Sequence, residues 1–398
     1  MVKVAILGFG VVGSGVAEVL TGSGDGVHRK ADPIIELKYI LDIRDFSGSP
    51  FAGYFVQDFS VIEQDPEIGV VVETIGGVGA ALDFTERALR AGKSVVTSNK
   101  ELVAAHGRRL LDLASEHGAV YLFEASVGGG IPVLRPLSEC LAANDILEIC
   151  GILNGTCNYI FTRMVQDGIT FQEALKGAQE NGYAEQDPTA DVEGYDTCRK
   201  LCILSSIAFG WHLLPEQVPT RGISRITPAD EAYASSCHCR IKLLGRAVLG
   251  EDGRVCAYVE PHFVPMDNPL AGVEDVFNAI MVKGNATGDV MFYGRGAGKL
   301  PTASAVVADV IAAARKMERA GYRPWQPNRP ECVEPVSELA SRWYVRLASG
   351  ELENADRLIY GRVDAEERTY LTHEAMTRPQ MEKLLENRHV LASIRVLD

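Results

Sequence analysis

The segment VKVAILGFGVVGSGVAEVL, residues 2–20, decides the fold of the first part of the chain. It opens with an apolar run, turns on glycines and continues with apolar residues at helical spacing. Gly8, Gly10 and Gly13 fit the pattern G-x-G-x-x-G at the junction of the predicted strand and helix, which is the context that the motif requires. Glycines there let backbone N–H groups approach a pyrophosphate at the helix N-terminus. The segment therefore predicts a dinucleotide site, with a glycine-rich turn that binds nothing as the alternative.

Strand-like and helix-like segments alternate after this motif. Four further segments are predicted to be strands: IIELKYILDIR, IGVVVETIGG, which is a buried run, SVVTSNK and AVYLFEASVGGG. Strands that alternate with helices of this length predict an α/β domain with a doubly wound, Rossmann-type parallel sheet. We assign it to residues 1–137, completed by a helix at 301–318, and interpret the glycine-rich segment 21–33 as a surface insertion.

The pattern changes near residue 138. Helical segments are followed, after residue 235, by four strand-like segments, which predicts an α+β second domain over 138–300. The proline-rich stretch 319–336 is predicted to be a stiff linker. The remaining residues, 337–398, predict a compact αβ module.

Composition excludes several classes of protein. A chain of 398 residues is too long for one ordinary core, and its net charge of −14 argues against nucleic acid or an anionic membrane as a partner. There is no apolar run long enough to span a bilayer, and the N-terminus enters a strand directly, so we expect a cytoplasmic protein. Nine cysteines in mostly apolar segments predict reduced, buried thiols; a metal at Cys237-His238-Cys239 is the minor alternative.

An acidic stretch, NGYAEQDPTADVEGYDTCRK at 181–200, precedes a predicted helix that Asp191 could cap. Asp196 and Lys200 are four residues apart and within reach on one helix face. A solvent-facing pair would contribute only a few tenths of a kcal/mol, whereas a desolvated pair could hold an ammonium against a reacting oxygen. The spacing of the carboxylates matches no known divalent-cation loop, and a substrate's ammonium group is an equal candidate for the cation.

The choice of cofactor depends on the end of the second predicted strand, LDIRDFSG. An acid there binds the ribose 2′-hydroxyl of NAD, whereas an arginine accommodates the 2′-phosphate of NADP. Asp42, Arg44 and Asp45 are all present, so both cofactors stay open.

Over residues 1–318 the chain resembles the homoserine dehydrogenase family. The resemblance is carried, in order, by GFGVVGSG, TSNKELVA, EASVGGGIPV, GILNGTCNYI, NGYAEQDPTADVEGYDTCRKL and GRGAGKLPTASAVV. It implies reversible reduction of L-aspartate 4-semialdehyde to L-homoserine with NADH or NADPH, in the pathway to threonine, methionine and isoleucine. It also implies a homodimer built through the second domain, which would bind substrate, or a tetramer through the C-terminal module.

The resemblance assigns roles to residues. The catalytic residues that it implies are Lys200 as proton donor, Lys100 as a second lysine near the nicotinamide, and Asp196. The substrate-binding residues are Glu185, which meets the amino group, and Gly182, Asp191, Asn154, Gly155 and Thr156. The cofactor-binding residues are Gly8, Phe9, Gly10, Val12, Gly13, Arg44, Thr74, Lys100 and Gly298. A sodium ion would lie among Glu124 and the carbonyls of Val127, Gly129 and Ile131.

Two departures from the family pattern bear on function. Members that use NADPH often carry a lysine shortly after the second strand, where this chain has Gly48 and Ser49. This departure argues against a strong preference for NADP, although Arg44 alone could still hold a 2′-phosphate. Many relatives end in an ACT domain, βαββαβ, whereas the tail here lacks room for the first helix, which predicts a shortened ACT-like module with weak or absent threonine inhibition. The alternative for the tail is a dimerisation or packing module.

Two rival functions remain at this point. One is a related oxidoreductase that acts on another amino-acid-derived substrate. The other is a nucleotide-binding sensor without turnover, which would be expected to have lost a catalytic lysine, yet Lys100 and Lys200 are both present.

Overall fold

The computed structural model describes five parts of the chain: residues 1–22, 34–315, 322–352, 355–358 and 368–397. Contacts divide it into two compact units, one made of residues 1–145, 202–215 and 294–329, the other of residues 146–201, 216–293 and 330–398. Most of the predicted insertion at 21–33, the end of the predicted helix 301–318 and the start of the predicted linker lie outside the described residues.

The first unit is built on a parallel sheet. Its elements up to residue 145 are β1 (Val2–Leu7), α1 (Val11–Thr21), β2 (Ile35–Leu41), β3 (Phe55–Val56), α2 (Phe59–Gln64), β4 (Ile68–Glu73), α3 (Gly79–Arg90), β5 (Ser94–Thr97), α4 (Lys100–Glu116) and β6 (Tyr121–Leu122). The strands pair in parallel in the order β3-β2-β1-β4-β5-β6. This is the Rossmann order, and the nearly continuous burial of β1 and β4 is what a sheet covered on both faces requires. The predicted doubly wound sheet is confirmed.

The second unit begins with one strand, continues with helices and then returns to an antiparallel sheet. Its elements are β7 (Ile146–Ile152), α5 (Gly155–Asp167), α6 (Phe171–Glu180), α7 (Thr189–Val192), α8 (Tyr195–Phe209), α9 (Pro228–Ser236), β8 (Cys239–Leu249), β9 (Val255–Pro265), β10 (Phe277–Gly284) and β11 (Gly288–Arg295). The unit boundaries fall inside two of these elements, so that α8 from residue 202 and the last two residues of β11 are assigned to the first unit. The four strands predicted after residue 235 are confirmed. The prediction that Asp191 caps the helix carrying Lys200 is wrong, because Gly194, at φ +84°, separates α7 from α8 and Asp191 lies inside α7.

The chain then returns to the first unit in α10 (Lys299–Ala314), which packs on α1 and buries Val306 and Val310. In the described part of the predicted linker, Tyr322 and Trp325 are buried and their rings pack against Phe123. This part of the segment therefore belongs to the core of the first unit.

The C-terminal tail extends the sheet of the second unit. Its elements are β12 (Trp343–Leu347), β13 (Ala355–Leu358), β14 (Arg368–Thr372), α11 (Arg378–Leu384) and β15 (Val390–Val396). The nine strands follow the order β11-β10-β7-β8-β9-β15-β12-β14-β13, so β15 joins the tail to β9. The tail has its own apolar cluster, which includes Trp343, Tyr370 and Met381. The described residues between β12 and β13 form no helix.

Candidate active site

The glycine turn between β1 and α1 has the shape of a phosphate cradle. A Cβ on Gly13 would lie 2.0 Å from the Gly8 carbonyl oxygen and 2.8 Å from Thr74 Oγ1, and Gly8 itself has φ +89°. Larger residues at these two positions would force the turn away from the end of β4. A Cβ on Gly10 would meet no atom within 4 Å. The backbone at Gly10 therefore borders open space, as the approach of a pyrophosphate requires.

The residues after β2 form a tight ion pair. The Asp42 carboxylate accepts hydrogen bonds from the backbone N–H of Phe9 at 2.7 Å and from the backbone N–H, Nε and Nη2 of Arg44 at 2.9, 3.0 and 2.8 Å. The Arg44 side chain holds the pKa of Asp42 well below its usual range. Arg44 lies over the Phe46 ring at 5.0 Å, with 59% of its side chain exposed. The acid is thus occupied by four protein donors, while the guanidinium faces solvent.

Polar groups also fix the loops at the carboxyl ends of β4 and β5. Glu73, the last residue of β4, is fully buried and accepts a 2.6 Å hydrogen bond from the Thr97 hydroxyl. Burial raises the pKa of Glu73. Asn99 caps α4, and its amide donates to the Gly77 carbonyl at 2.6 Å. Lys100 is therefore presented at the start of α4, on the edge of the sheet where nucleotides bind in this fold.

Glu73 and Asn99 are absent from the predicted site residues. An acid that ends an otherwise apolar strand, IGVVVE, was the available signal for Glu73. The other expected cofactor residues lie in the same unit: Val12 in the first turn of α1, and Gly298, at φ +122°, directly before α10.

The carboxylate of Glu124 is fully engaged by protein donors. It accepts the backbone N–H groups of Val133, Leu134 and Arg135 at 2.6, 2.8 and 2.8 Å and the Tyr322 hydroxyl at 3.2 Å. Any contribution of Glu124 to a cation site would therefore come from its carbonyl oxygen. The side chain instead holds the loop that follows it.

The three other residues expected around a cation, Val127, Gly129 and Ile131, are buried. Within the described parts of the chain, their carbonyl oxygens accept no hydrogen bond. Buried carbonyl groups normally have a partner, and carbonyl oxygens are suitable ligands for hard cations. These three carbonyl oxygens are therefore candidate ligands for a cation. The loop is anchored by Asp309, which pairs with Arg135 and accepts the Glu124 N–H at 2.9 Å.

The second unit gathers four predicted residues around one ion pair. Lys200 Nζ donates to Asp196 Oδ2 and to the Leu153 carbonyl, each at 2.7 Å. The amide of Asn154 donates to Asp196 Oδ2 at 2.9 Å and to Asp191 Oδ1 at 2.7 Å. Lys200 is 8% exposed and Asp196 is 2% exposed. The pair is therefore desolvated, and the solvent-facing alternative is wrong.

The loop that carries Glu185 is held separately. The Thr156 hydroxyl donates to the Tyr183 carbonyl at 2.6 Å, next to Gly155 at the start of α5, and Gln179 Nε2 donates to the Glu185 carbonyl at 3.1 Å. Gly182 has φ +72° and turns the chain after α6. The Glu185 residue is exposed, and within the described residues no hydrogen bond or ion pair joins its carboxylate to Asp196 or Lys200.

None of the nine cysteines, all of which lie in described segments, forms a disulfide, and six are buried. Burial raises the pKa of the Cys239 thiol to about 11. No group of three or more metal-ligating side chains occurs in the described parts of the chain, at Cys237-His238-Cys239 or elsewhere. The helices that the structure describes include none with the length and apolar character needed to cross a membrane.

Comparisons with known proteins agree with this geometry. A family model described as homoserine dehydrogenase matches residues 132–311, and one described as the NAD binding domain of homoserine dehydrogenase matches residues 8–124. A homoserine dehydrogenase of Pseudomonas aeruginosa is 42% identical over 358 residues, which cover 87% of this chain and 81% of the relative. The chain belongs to the homoserine dehydrogenase family. It is an NAD(P)-dependent oxidoreductase that interconverts L-homoserine and L-aspartate 4-semialdehyde.

Other relatives show the same relationship. The homoserine dehydrogenase of Bacillus subtilis is 40% identical, with 87% of this chain and 81% of the relative covered. The crystal structure of a homoserine dehydrogenase from Thiobacillus denitrificans has a TM-score of 0.88 and 34% identity and covers 100% of this chain and 98% of that chain. A hyperthermophilic archaeal homoserine dehydrogenase in complex with NADPH has a TM-score of 0.67 and 28% identity and covers 79% and 98%.

Proposed function

We propose that Lys200 is the proton donor when the enzyme reduces the aldehyde of L-aspartate 4-semialdehyde. The observation that carries this proposal is the desolvated ion pair, in which Asp196 and the Leu153 carbonyl fix the position of the ammonium. Hydride addition builds negative charge on the aldehyde oxygen, and an ammonium held in a water-poor site stabilises that charge and protonates it. In the reverse direction, neutral Lys200 accepts the hydroxyl proton of homoserine. The nicotinamide supplies or accepts the hydride when it is bound.

Lys100 is the competing donor in this proposal. It lies at the first position of α4, where the positive end of the helix dipole disfavours a second positive charge. We propose that Lys100 positions the cofactor and substrate hydroxyl and that Lys200 transfers the proton. Lys100→Met should then raise KM for substrate or cofactor more than it lowers kcat, and a larger loss of kcat in Lys100→Met than in Lys200→Met would reverse the assignment.

NADP is the cofactor that the geometry favours. The Asp42 carboxylate is engaged by Phe9 and Arg44, which reduces its capacity to accept a ribose 2′-hydroxyl. The exposed guanidinium of Arg44 suits a 2′-phosphate, and an archaeal relative is described in complex with NADPH. Oxidation of L-homoserine should therefore have a higher kcat/KM with NADP than with NAD. An equal or higher value with NAD contradicts this preference, and turnover with neither cofactor contradicts the activity itself.

A sodium ion is proposed at the carbonyls of Glu124, Val127, Gly129 and Ile131. The support is the set of buried carbonyl oxygens and the Glu124 carboxylate, which holds the loop by its backbone. The ion would stabilise the loop rather than take part in chemistry. Replacing sodium with tetramethylammonium should lower the thermal midpoint, and an unchanged midpoint would argue against the site.

The tail is proposed to be a shortened ACT-like module. Counted along the tail, its strands lie in the order fourth, first, third, second, and the neighbours are antiparallel, as in a βαββαβ sheet. The described residues between its first two strands form no helix, so an effector site that needs that helix would be incomplete. We expect weak or absent inhibition by L-threonine, and strong inhibition in a steady-state assay would refute this.

We propose a cytoplasmic homodimer that acts in the pathway to threonine, methionine and isoleucine. The support for self-association is β11, an edge strand of the second unit whose Met291 and Tyr293 are 41% and 53% exposed. An exposed edge strand with apolar side chains is a site for pairing with another chain. Sedimentation equilibrium should give twice the mass of the chain. A monomer at assay concentrations would refute the dimer, and a tetramer would favour assembly through the tail.

A further inference from the structure

A cavity of about 200 Å³ lies within the second unit, on the edge of β9 that faces away from β8. It is lined by the loop 219–221, by residues 258–260 of β9, by Val336 and by Arg378. β15 pairs with β9 at residues 262 and 263, whereas the loop reaches the same strand by a bridge between Thr220 and Val259. The space lies beside the part of the β9 edge that β15 leaves uncovered.

Positive charges outnumber negative charges around this cavity. The Glu260 carboxylate accepts hydrogen bonds from Arg395 Nε at 2.5 Å and from Arg378 Nη2 at 2.7 Å. A single carboxylate is therefore paired with two arginines. Arg395 is fully buried and donates three further hydrogen bonds, to the carbonyls of Leu339 and Val336 and to the Ser341 hydroxyl. The Arg395 side chain therefore does not line the cavity, whereas Arg378 does.

Arg221 adds a second guanidinium to the lining. It donates one hydrogen bond, from Nη1 to the Ser393 carbonyl at 3.0 Å. Within the described part of the chain it forms no ion pair, although it lies near Glu260, Arg378 and Arg225. Burial lowers the pKa of Arg221, but an arginine keeps its charge in proteins. Three arginines thus surround one carboxylate, and the local charge is about +2.

We propose that this cavity binds a small oxyanion, the carboxylate or phosphate group of a small molecule, between Arg221 and Arg378. A guanidinium presents a planar fork of donors that matches both groups. A volume of about 200 Å³ is below the roughly 300–1,000 Å³ of sites for drug-sized ligands, so the occupant is small. Because the lining comes both from β9 and from the tail, the bound anion would link the tail to the rest of the unit and stabilise it.

Isothermal titration calorimetry of the full-length protein tests the proposal, with sodium phosphate in one series and sodium malonate in the other, each at constant ionic strength. We expect saturable binding of at least one anion and a fall in affinity of about tenfold or more in Arg221→Met, because hydrogen bonds to charged groups are among the strong ones. Tighter binding of phosphate would identify a phosphoryl ligand, and tighter binding of malonate a carboxylate ligand.

Two control variants separate this cavity from other positive charges. Arg225→Met removes a neighbouring exposed arginine that does not line the cavity. Arg44→Met removes the cation expected at the cofactor phosphate. Both should leave the malonate affinity within about twofold of the wild type. The proposal is overturned if neither anion saturates, if Arg225→Met loses as much affinity as Arg221→Met, or if only Arg44→Met does.

A crystallographic measurement keeps the proposal testable if Arg221→Met does not fold. Wild-type crystals soaked in sodium selenate should show an anomalous selenium peak within hydrogen-bonding distance of Arg221 and Arg378. Selenate peaks elsewhere and none in this cavity would overturn it.

Discussion

Replacing Lys200 with methionine removes the ammonium but keeps an unbranched side chain of similar length. Lys200 donates to Asp196 and to the Leu153 carbonyl, each at 2.7 Å, and it is the proposed proton donor. Proton transfer by a positioned side chain contributes about 10²–10⁴-fold to rate, which corresponds to ~3–5 kcal/mol in the activation barrier. We therefore expect kcat to fall by that factor, while KM for NADP stays within about twofold because the nucleotide contacts are untouched.

The same substitution also removes the cation that compensates a buried acid. The Asp196 side chain is 3% exposed, and removing one partner of a buried ion pair costs about 3–5 kcal/mol of stability. Loss of activity could then arise from unfolding rather than from chemistry. The double variant Lys200→Met/Asp196→Asn separates the two causes, because a neutral amide at 196 can still accept the hydrogen bond from Asn154 and needs no cation. We expect it to recover most of the unfolding free energy and none of the kcat.

The assay measures NADP-dependent oxidation of L-homoserine at saturating substrate, together with urea unfolding of each variant followed by circular dichroism. The reasoning is refuted if Lys200→Met keeps kcat within about threefold of the wild type, since the proton would then come from another group. It is equally refuted if the double variant regains activity along with stability, because the lysine would then matter only for the fold.

Four further outcomes follow from the geometry. Gly13→Ala brings a methyl group to 2.0 Å from a backbone oxygen and should lower the thermal midpoint by several degrees. In Gly10→Ala the methyl group meets no atom within 4 Å, so this variant should keep the thermal midpoint but bind NADP more weakly. Equal thermal midpoints of the two variants would contradict the proposed phosphate cradle. Arg44→Met should weaken NADPH binding in fluorescence titrations by about tenfold or more and leave NADH binding unchanged; parallel losses would contradict a 2′-phosphate role. Glu185→Gln should raise KM for homoserine without changing affinity for the cofactor, as initial-rate kinetics would show; an unchanged KM would remove Glu185 from the substrate site. Burial lowers the pKa of His262 from 6.5 to about 4, so the contribution of neutral His262 to stability is complete above pH 6.5 and is lost as the pH falls through 4. The unfolding free energy should drop by up to ~3 kcal/mol over that pH range. An equally steep drop in His262→Gln would contradict this prediction.

The parallel sheet of the first unit was predictable because each strand carries its own signal. A strand buried on both faces is a continuous apolar run, and the chain joins such runs through short amphipathic helices. The sheet of the second unit was not predictable in the same way. β15 pairs with β9 across more than a hundred residues of sequence, and no local pattern encodes a partner that distant. The sequence of the tail therefore predicts a separate module, although its strands continue the second sheet.

For single residues of the candidate site, too, the local sequence predicted near neighbours but not distant partners. The spacing of Asp196 and Lys200 predicted that they would meet, because four residues make one turn of a helix. Their burial was not predictable, since it depends on packing around α8. Asn154 binds both Asp191 and Asp196 across about forty residues, so the amide that joins two predicted acids could be assigned only from the family resemblance.

The carboxylates among the predicted site residues of the two units differ in the groups that they already bind. Asp42 is engaged by the guanidinium of Arg44, and Glu124 holds three backbone N–H groups. Asp196 holds Lys200 and Asn154. A carboxylate oxygen that already accepts protein hydrogen bonds acts by fixing its neighbour, as Asp196 Oδ2 does for Lys200. We therefore expect the ligand contacts to be made by Arg44, by the carbonyls of the cation loop and by Lys200. Glu185 differs, because it is exposed and its carboxylate, unlike its carbonyl, accepts no hydrogen bond from the described residues. A substrate that carries an ammonium group needs an uncommitted anion, and on that ground Glu185 is the acid that we expect to bind it.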